Sequence, residues 1–367
     1  MLKKKLYEIA NVQAGGTPSR TKSDYWNGNI PWIKISNINS KFVDSYDETI
    51  TKQGLDNSSA KMFPKNTILY TIFATLGRVG ILTFDATTNQ AIAGIQLTDS
   101  TISNEYLYYY LRSLESYVNK IGNGAAQKNI NLSILKNFNV PIVGIERQNE
   151  ITSELCKLEI AISLKKNELE SLNELIKSQF IEMFDNKGYP SKIGNELFKF
   201  SSGKFLDVKK RLEAGIPVYG GNGIAWYTDE SLVNDDTIII GRVGAYCGNA
   251  RLVRGDKWIT DNALYISKFK TNDFELEFLE QLMIQYDFHQ YAGAAAQPKI
   301  TQKPLDEQMY LIPPKSEQIK FTEFVKQIDK SKFIFYSKNF LWDVLTFSSS
   351  TIAYSNVVSI FAWPRRC

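Results

Sequence analysis

The chain has 367 residues, 43% hydrophobic and 22% charged, with a net charge of +4; a packed core is within reach, wholesale disorder is disfavoured, and a polyanionic partner is permitted. Cys156, Cys247 and Cys367 are too few and too far apart for a disulfide framework or a zinc spacing, which fits a reducing cytoplasm. His289 is the only histidine, so sites built on several histidine ligands are excluded.

The opening "MLKKKLYEIANVQAGG" has a basic cluster, but Glu8, Asn11 and Gln13 interrupt its apolar positions, so it does not read as a signal peptide. "GGTPSRTKSDYWNGNIPW" (Gly15–Trp32) follows. Two glycines before a hydroxyl suggest a phosphate cradle, yet no helical period follows to supply an N-terminal dipole. Gly15, Gly16, Pro18, Tyr25, Trp26, Gly28 and Pro31 are read instead as framework. Short strands rich in Ile, Val, Tyr and Thr come next, in "NTILYTIFATLGRVGILTF". "SNEYLYYYLRSLESYVNKIG" predicts a helix capped by Ser103, with Leu107, Leu111, Leu114 and Val118 on one face. A small-residue loop and a strand ending at Pro141 lead to the clearest periodic signal of the chain. From Glu146 to about Phe184, apolar residues at Ile151, Leu155, Leu158, Ile162, Leu169, Leu172 and Ile176 form a heptad seam, with Lys165 at one slot. Some 39 residues at 1.5 Å per residue make a rod of roughly 58 Å, more than one small domain covers.

The second half repeats the first. "GRVG" occurs at Gly77–Gly80 and at Gly241–Gly244; "EYLYYYL" from Glu105 matches "EFLEQLM" from Glu277; "GNGAAQKNI" matches "GAAAQPKI"; "NVPIVGIERQNEI" matches "YLIPPKSEQIKF". A second closing helix starts alike, with Phe321, Val325 and Ile328 answering Ile151, Leu155 and Leu158, and loses the match beyond Lys332. Leu345–Trp363 is uncharged and long enough for a membrane span, but Ser, Thr and Asn side chains dilute it, so a weakly packed tail is expected.

Enzyme chemistry finds little support. Gly203-Lys204 lacks the first glycine of a Walker loop, and "GNGAAQ" and "GNGIAW" lack the third glycine of a dinucleotide loop. Pro313-Pro314 is not the catalytic turn of an adenine methyltransferase. The loops instead carry side chains suited to base edges and phosphates: Lys34, Ser36, Asn37, Thr75, Arg78, Gln127, Lys128 and Asn129 in the first half; Tyr219, Asn222, Arg242, Tyr246, Gln297 and Lys299 in the second. Pro31 to Arg78 spans 47 residues and Pro217 to Arg242 only 25, as a shared scaffold with different loops would. The competing reading is a scaffold of two carbohydrate- or peptide-binding modules, stacking ligands on Trp26, Trp32, Trp226 and Tyr227.

"GGTPSRTKSDYWNGNIPWIKISNI", "SSGK…GIPVYGGNGIAWY" and "GAAQKNINLSILKNFNVPIVGIERQNEI" resemble the start, a second start and the end of target recognition domains in the specificity subunit of Type I restriction–modification enzymes. The resemblance covers roughly residues 1–335. It implies an α+β fold: two duplicated mixed α/β recognition domains (1–145 and 187–314) separated by long antiparallel coiled-coil spacer helices (146–186, and a second starting at 315–336); the sequence departs from that pattern in an atypical tail at 337–367. The resemblance implies a non-catalytic chain that reads a split site on double-stranded DNA. Methyltransferase and restriction–translocase subunits would then bring the S-adenosylmethionine, ATP and magnesium. Two readers on one face of a duplex sit about 34–36 Å apart, a distance the rod is long enough to bridge.

Overall fold

A computed structural model describes residues 2–122, 129–292 and 298–337; Gln127, Lys128, Gln297, Cys367 and the uncharged tail lie outside them. The described chain forms two compact units, 2–165 and 166–337, and each is taken by itself.

The first unit starts with β1 (Leu2–Lys5), α1 (Leu6–Ile9), β2 (Ala10–Ala14) and β3 (Trp26–Ile33). It continues through β4 (Phe42–Val43), β5 (Glu48–Ile50), α2 (Lys52–Asp56), β6 (Ile68–Thr71), β7 (Val79–Leu82), β8 (Thr87–Thr88) and β9 (Ile92–Leu97). It ends with α3 (Asn104–Ser113), α4 (Glu115–Gly122), α5 (Leu132–Lys136), β10 (Asn139–Ile142) and the start of the long α6 (Ile145–Phe184). A five-stranded sheet, in the order β2-β9-β6-β7-β4, is the centre. Its strands read as continuous apolar runs because both faces are covered. Ile68, Tyr70 and Ile81 face one layer, with Tyr106, Leu107 and Leu111 of α3. Leu69, Leu82 and Ile92 face the other, with Ile33, Ile38 and Phe63. That period of two is the pleat of a strand. A smaller sheet, β5-β3-β8, lies on the second side.

The second unit begins inside α6, at residue 166, and adds β11 (Ser191–Ile193), α7 (Gly194–Leu197), β12 (Phe198–Ser202), β13 (Ile216–Gly220), β14 (Gly223–Thr228), β15 (Thr237–Gly241) and β16 (Ala250–Val253). β17 (Trp258–Ile259), β18 (Ala263–Phe269), α8 (Leu276–Gln285), α9 (Gln302–Glu307), β19 (Met309–Leu311) and α10 (Lys315–Ser337) complete it. Its sheets, β12-β18-β15-β16 and β14-β13-β17, repeat those of the first unit without the edge strand β4. Ile238 and Ile240 again face one cluster and Ile239 the other. β14 pairs with β13 as β5 does with β3, and among the described residues the second unit has no counterpart of β4 and α2, which accounts for the shorter spacing seen in the sequence.

Local signals held where they were strong. Ser103 caps α3, its hydroxyl accepting from the Tyr106 amide at 3.2 Å. The predicted single helix, however, breaks at Leu114 into α3 and α4. α6 runs one residue longer at its start than the heptads predict. Within its seam Ile151 and Ile176 are buried, and Leu155, Leu158, Ile162, Leu169 and Leu172 are half-buried. Phe180 and Phe184, at the end of α6, pack edge-on against Phe321 of α10, with ring centroids 5.6 and 5.5 Å away. No helix among the described residues is long and apolar enough to cross a membrane.

The "GRVG" repeat needs correcting. Thr71 N donates to Arg78 O at 3.0 Å and Gly77 N to Thr71 O at 3.1 Å; in the second unit Gly241 N donates to Asn249 O at 2.9 Å and Gly248 N to Gly241 O at 2.8 Å. Ala74 and Gly77 have positive φ in one loop, Gly244 and Gly248 in the other. Arg78 therefore corresponds to Asn249, and Arg242 to Ile72. The same tetrapeptide opens β7 in one unit and the loop after β15 in the other, so Arg78 and Arg242 are not a repeated pair.

Candidate functional site

Most of the described loop residues singled out in the sequence sit at one end of each sheet, and a row of backbone hydrogen bonds gathers them. In the first unit Asn89 N donates to Ile33 O (3.1 Å), Ile72 N to Ala91 O (2.8 Å) and Ile130 N to Ile72 O (3.0 Å). In the second, Thr260 N donates to Tyr219 O (2.9 Å), Arg242 N to Asn262 O (2.9 Å) and Ile300 N to Arg242 O (2.9 Å). Phe73 bridges Asn129, and Val243 bridges Lys299. The end of β3 or β13, the turn after β8 or β17, the loop after β6 or β15, and the segment before α5 or α9 thus meet twice in the same order.

Two close approaches hold these rows. A Cβ on Gly15 would strike the Thr88 hydroxyl and the carbonyls of Thr88 and Asn89; one on Gly203 would strike the carbonyls of Thr260 and Ile259. Only glycine lets the strand pass there. An indole N–H then ties the next residue in each unit, Trp32 to Gly16 O at 3.0 Å and Trp258 to Lys204 O at 2.9 Å. The two tryptophans come from different strands, so the framework is kept by geometry rather than by position in the sequence.

In the first unit, Ser36, Thr75 and Arg78 are exposed and Asn129 is half-buried. Asn37 faces inward: its Oδ1 accepts from Lys34 N at 2.9 Å and its Nδ2 donates to Asp47 at 3.2 Å. Lys34 is half-buried and pairs with Glu48 at 2.9 Å and Asp47 at 3.3 Å. Glu48 also takes Arg20, whose guanidinium lies 3.6 Å over the ring of Trp26. The hydrogen bond from Arg20, then that from Lys34, holds the Glu48 carboxyl below the usual carboxylate range; the bond to Glu48 raises Lys34. Lys34 is therefore a charged member of an internal network as well as a loop residue. Beneath Arg78, burial raises the Glu115 carboxyl against the opposing pull of Arg112 and Arg78.

In the second unit, Asn222, Tyr246 and Lys299 are exposed, and Tyr219 is half-buried against Ile259 and Ala263. Arg242 is half-buried and donates from Nη1 to Asp261 O at 3.2 Å. The turn bearing Asn222 packs close to the end of β15, since a Cβ on Gly221 would stand 3.5 Å from Gly241 Cα and 3.7 Å from Val243 O. What results in each unit is an open surface of amide, hydroxyl and cationic donors on loops. Such groups match phosphate oxygens and base edges.

Sequence reasoning missed several residues here. Arg20 lies within the Gly15–Trp32 stretch without a role of its own there, yet its stacking on Trp26 and pairing with Glu48 place it beside Lys34. Arg251 lies over the hairpin, its guanidinium 2.7 Å from where a Cβ of Gly223 would sit. Asn89–Ala91 and Thr260–Asn262 form the second segment of each row; the similar tetrapeptides "TNQA" (88–91) and "TDNA" (260–263) mark the place in the sequence but stand one residue out of register with it. Of the stacking residues of the scaffold reading, Trp226 and Tyr227 are half-buried, and the first unit's pair is covered. Trp32 is 3% exposed, and Trp26 lies under Arg20.

The family described as "Type I restriction modification DNA specificity domain" matches residues 1–174 and 190–337. The chain is 26% identical over 351 residues to the EcoprrI specificity subunit of a Type I restriction enzyme from Escherichia coli, covering 88% of this chain and 86% of that one. It is 32% identical over 188 residues to the MjaIX specificity subunit from Methanocaldococcus jannaschii, covering 50% of this chain and 42% of that one. Its fold is similar to that of the S subunit of a Type I restriction–modification system from M. genitalium, with a TM-score of 0.56 at 19% identity, over 100% of this chain and 96% of that one.

Proposed function

The chain belongs to the family of Type I restriction–modification DNA specificity domains, which it carries twice, and from that premise we propose that it reads a bipartite DNA site and places partner subunits on it. Each unit reads one half-site with the loops gathered at the end of its sheet. The observation that carries this reading is the four-segment backbone row, built twice with the same hydrogen bonds and filled with different side chains. A constant frame with variable loops is what two readers of different sequences need.

The long helices act as spacers, and α6 alone, at 1.5 Å per residue, is about 60 Å long. We infer that the chain itself is non-catalytic and works in the cytoplasm. Methyltransferase subunits bind S-adenosylmethionine and receive the flipped adenine; restriction–translocase subunits bind ATP and magnesium. Mapping methylated adenines in cells that carry this chain with its methyltransferase tests the proposal. The expected result is methylation at a split motif with a fixed gap; methylation at a continuous motif refutes it. Salt dependence separates it from the carbohydrate-scaffold reading. DNA affinity should fall by orders of magnitude between about 50 and 200 mM salt if several phosphates are contacted, whereas sugar binding should barely change.

A further inference from the structure

Two buried glutamines stand at equivalent places near the starts of α6 and α10. Both are fully buried. Gln148 Oε1 accepts from Ser103 N at 2.9 Å, and its Nε2 donates to Thr101 O at 2.7 Å and Val143 O at 2.9 Å. Gln318 Oε1 accepts from Glu275 N at 2.9 Å, and its Nε2 donates to Asp273 O at 2.8 Å and Pro313 O at 2.8 Å. In each unit the glutamine ties the long helix to the N-cap residue of the packing helix, α3 or α8, to the residue two before that cap, and to the carbonyl five residues upstream in its own chain. Every partner is a backbone atom, so the arrangement survives the change from Thr101, Ser103 and Val143 to Asp273, Glu275 and Pro313. An amide offers one acceptor and two donors in a fixed fork; glutamate lacks the donors and methionine lacks both. One turn further on, Ile151 and Phe321 are buried on the same face and set the rotation of each helix.

We propose that Gln148 and Gln318 are positioning residues that fix the tilt of each long helix on its own recognition unit, and so restrict the complex to a single gap between half-sites. The proposal rests on the bipartite reading above. Its physical basis is leverage. The run from Gln148 to the end of α6 is about 54 Å, and a tilt of about 4° at one end moves the other by about 3.4 Å, one base-pair rise. Further along α6, Glu159 accepts from Tyr109 OH of α3 at 2.7 Å and pairs with Arg112; the buried amide is the anchor nearest the pivot, and directed hydrogen bonds tolerate less sliding than apolar contacts do.

The test uses the full chain assembled with its methyltransferase, on duplexes with the natural half-sites and gaps one base pair shorter, equal and one longer. Gln148→Met should lower the preference for the natural gap by about tenfold, the scale expected from orphaning buried backbone groups, and Gln318→Met by less, since α10 runs only about 28 Å beyond it; half-site preference should be unchanged in both. Gln148→Glu, whose buried carboxyl is protonated and keeps the acceptor and one donor, should lower the ratio by less than methionine does, and this graded loss decides the matter if the methionine variant yields no soluble complex. Ile95→Val, which thins the same buried layer from β9 without touching α6 or the clamp, should keep the wild-type gap ratio. Clamp variants that melt earlier yet keep that ratio overturn the proposal. A wild-type complex that methylates no gapped site overturns the bipartite reading instead.

Discussion

Replacing Trp26 by alanine should destabilise the first unit rather than change what it reads. Trp26 meets Trp32 edge-on with ring centroids 5.1 Å apart, carries the Arg20 guanidinium on its face, and donates its indole N–H to Ser19 O at 3.1 Å. The ring pair contributes about 0.5–1.5 kcal/mol, the guanidinium about 0.5–1, the hydrogen bond about 1, and the half-buried apolar surface about 1 to 1.5. A loss of about 3 to 5 kcal/mol follows, within the usual range for a large aromatic cut to alanine. For a unit of this size that lowers the melting temperature by roughly 10 °C. Trp26→Phe should lose only the N–H bond, about 1 kcal/mol. Thermal unfolding of the full chain, followed by circular dichroism, measures both, with the second unit's transition as internal reference. A Trp26→Ala variant that melts like the wild type and methylates a different first half-site would refute the framework assignment.

Other consequences concern the spacer, the glycine crossings and the acid limb. Deleting Leu158–Leu164 removes two helical turns, about 10.5 Å or three base-pair rises. The gap mapped by methylation should shorten accordingly or binding should be lost, with both half-sites intact; altered half-sites at the old gap would sink the spacer role. Gly203→Ala forces a Cβ onto two backbone carbonyls and should destabilise the second unit by about 1–3 kcal/mol, whereas Gly144→Ala, with open space around it, should stay within about 0.5 kcal/mol of wild type. Denaturant titration of the two variants checks the contrast. For Glu48, the folded carboxyl titrates below its unfolded value, so its contribution is full above about pH 4.5 and is lost as pH falls through the folded value. The stability difference between wild type and Glu48→Gln should therefore narrow on acidification, and a difference that widens would contradict the assignment.

Much of this protein is legible in one dimension. The duplication, the strands, the Ser103 cap and the extent of α6 are set by local periodicity, and period-two burial or a heptad seam survives in any tertiary setting. The end of the sheet where the candidate readers gather was legible too, because Lys34, Thr75, Arg78, Asn222 and Tyr246 fall in loops between strong strand signals. What the tertiary structure alone decided depends on partners far away in the chain. Register placed the two "GRVG" segments at different positions, since a strand's hydrogen bonds, not its letters, fix equivalence. Distant carboxylates drew Lys34 and Asn37 into an internal network. Trp258 took the place of Trp32 from another strand. Gln148 and Gln318 look like ordinary polar residues in a charged helix until folding brings backbone groups some 45 residues upstream within reach; burial then makes each of their hydrogen bonds matter, and that burial is a property of the fold rather than of the sequence around them.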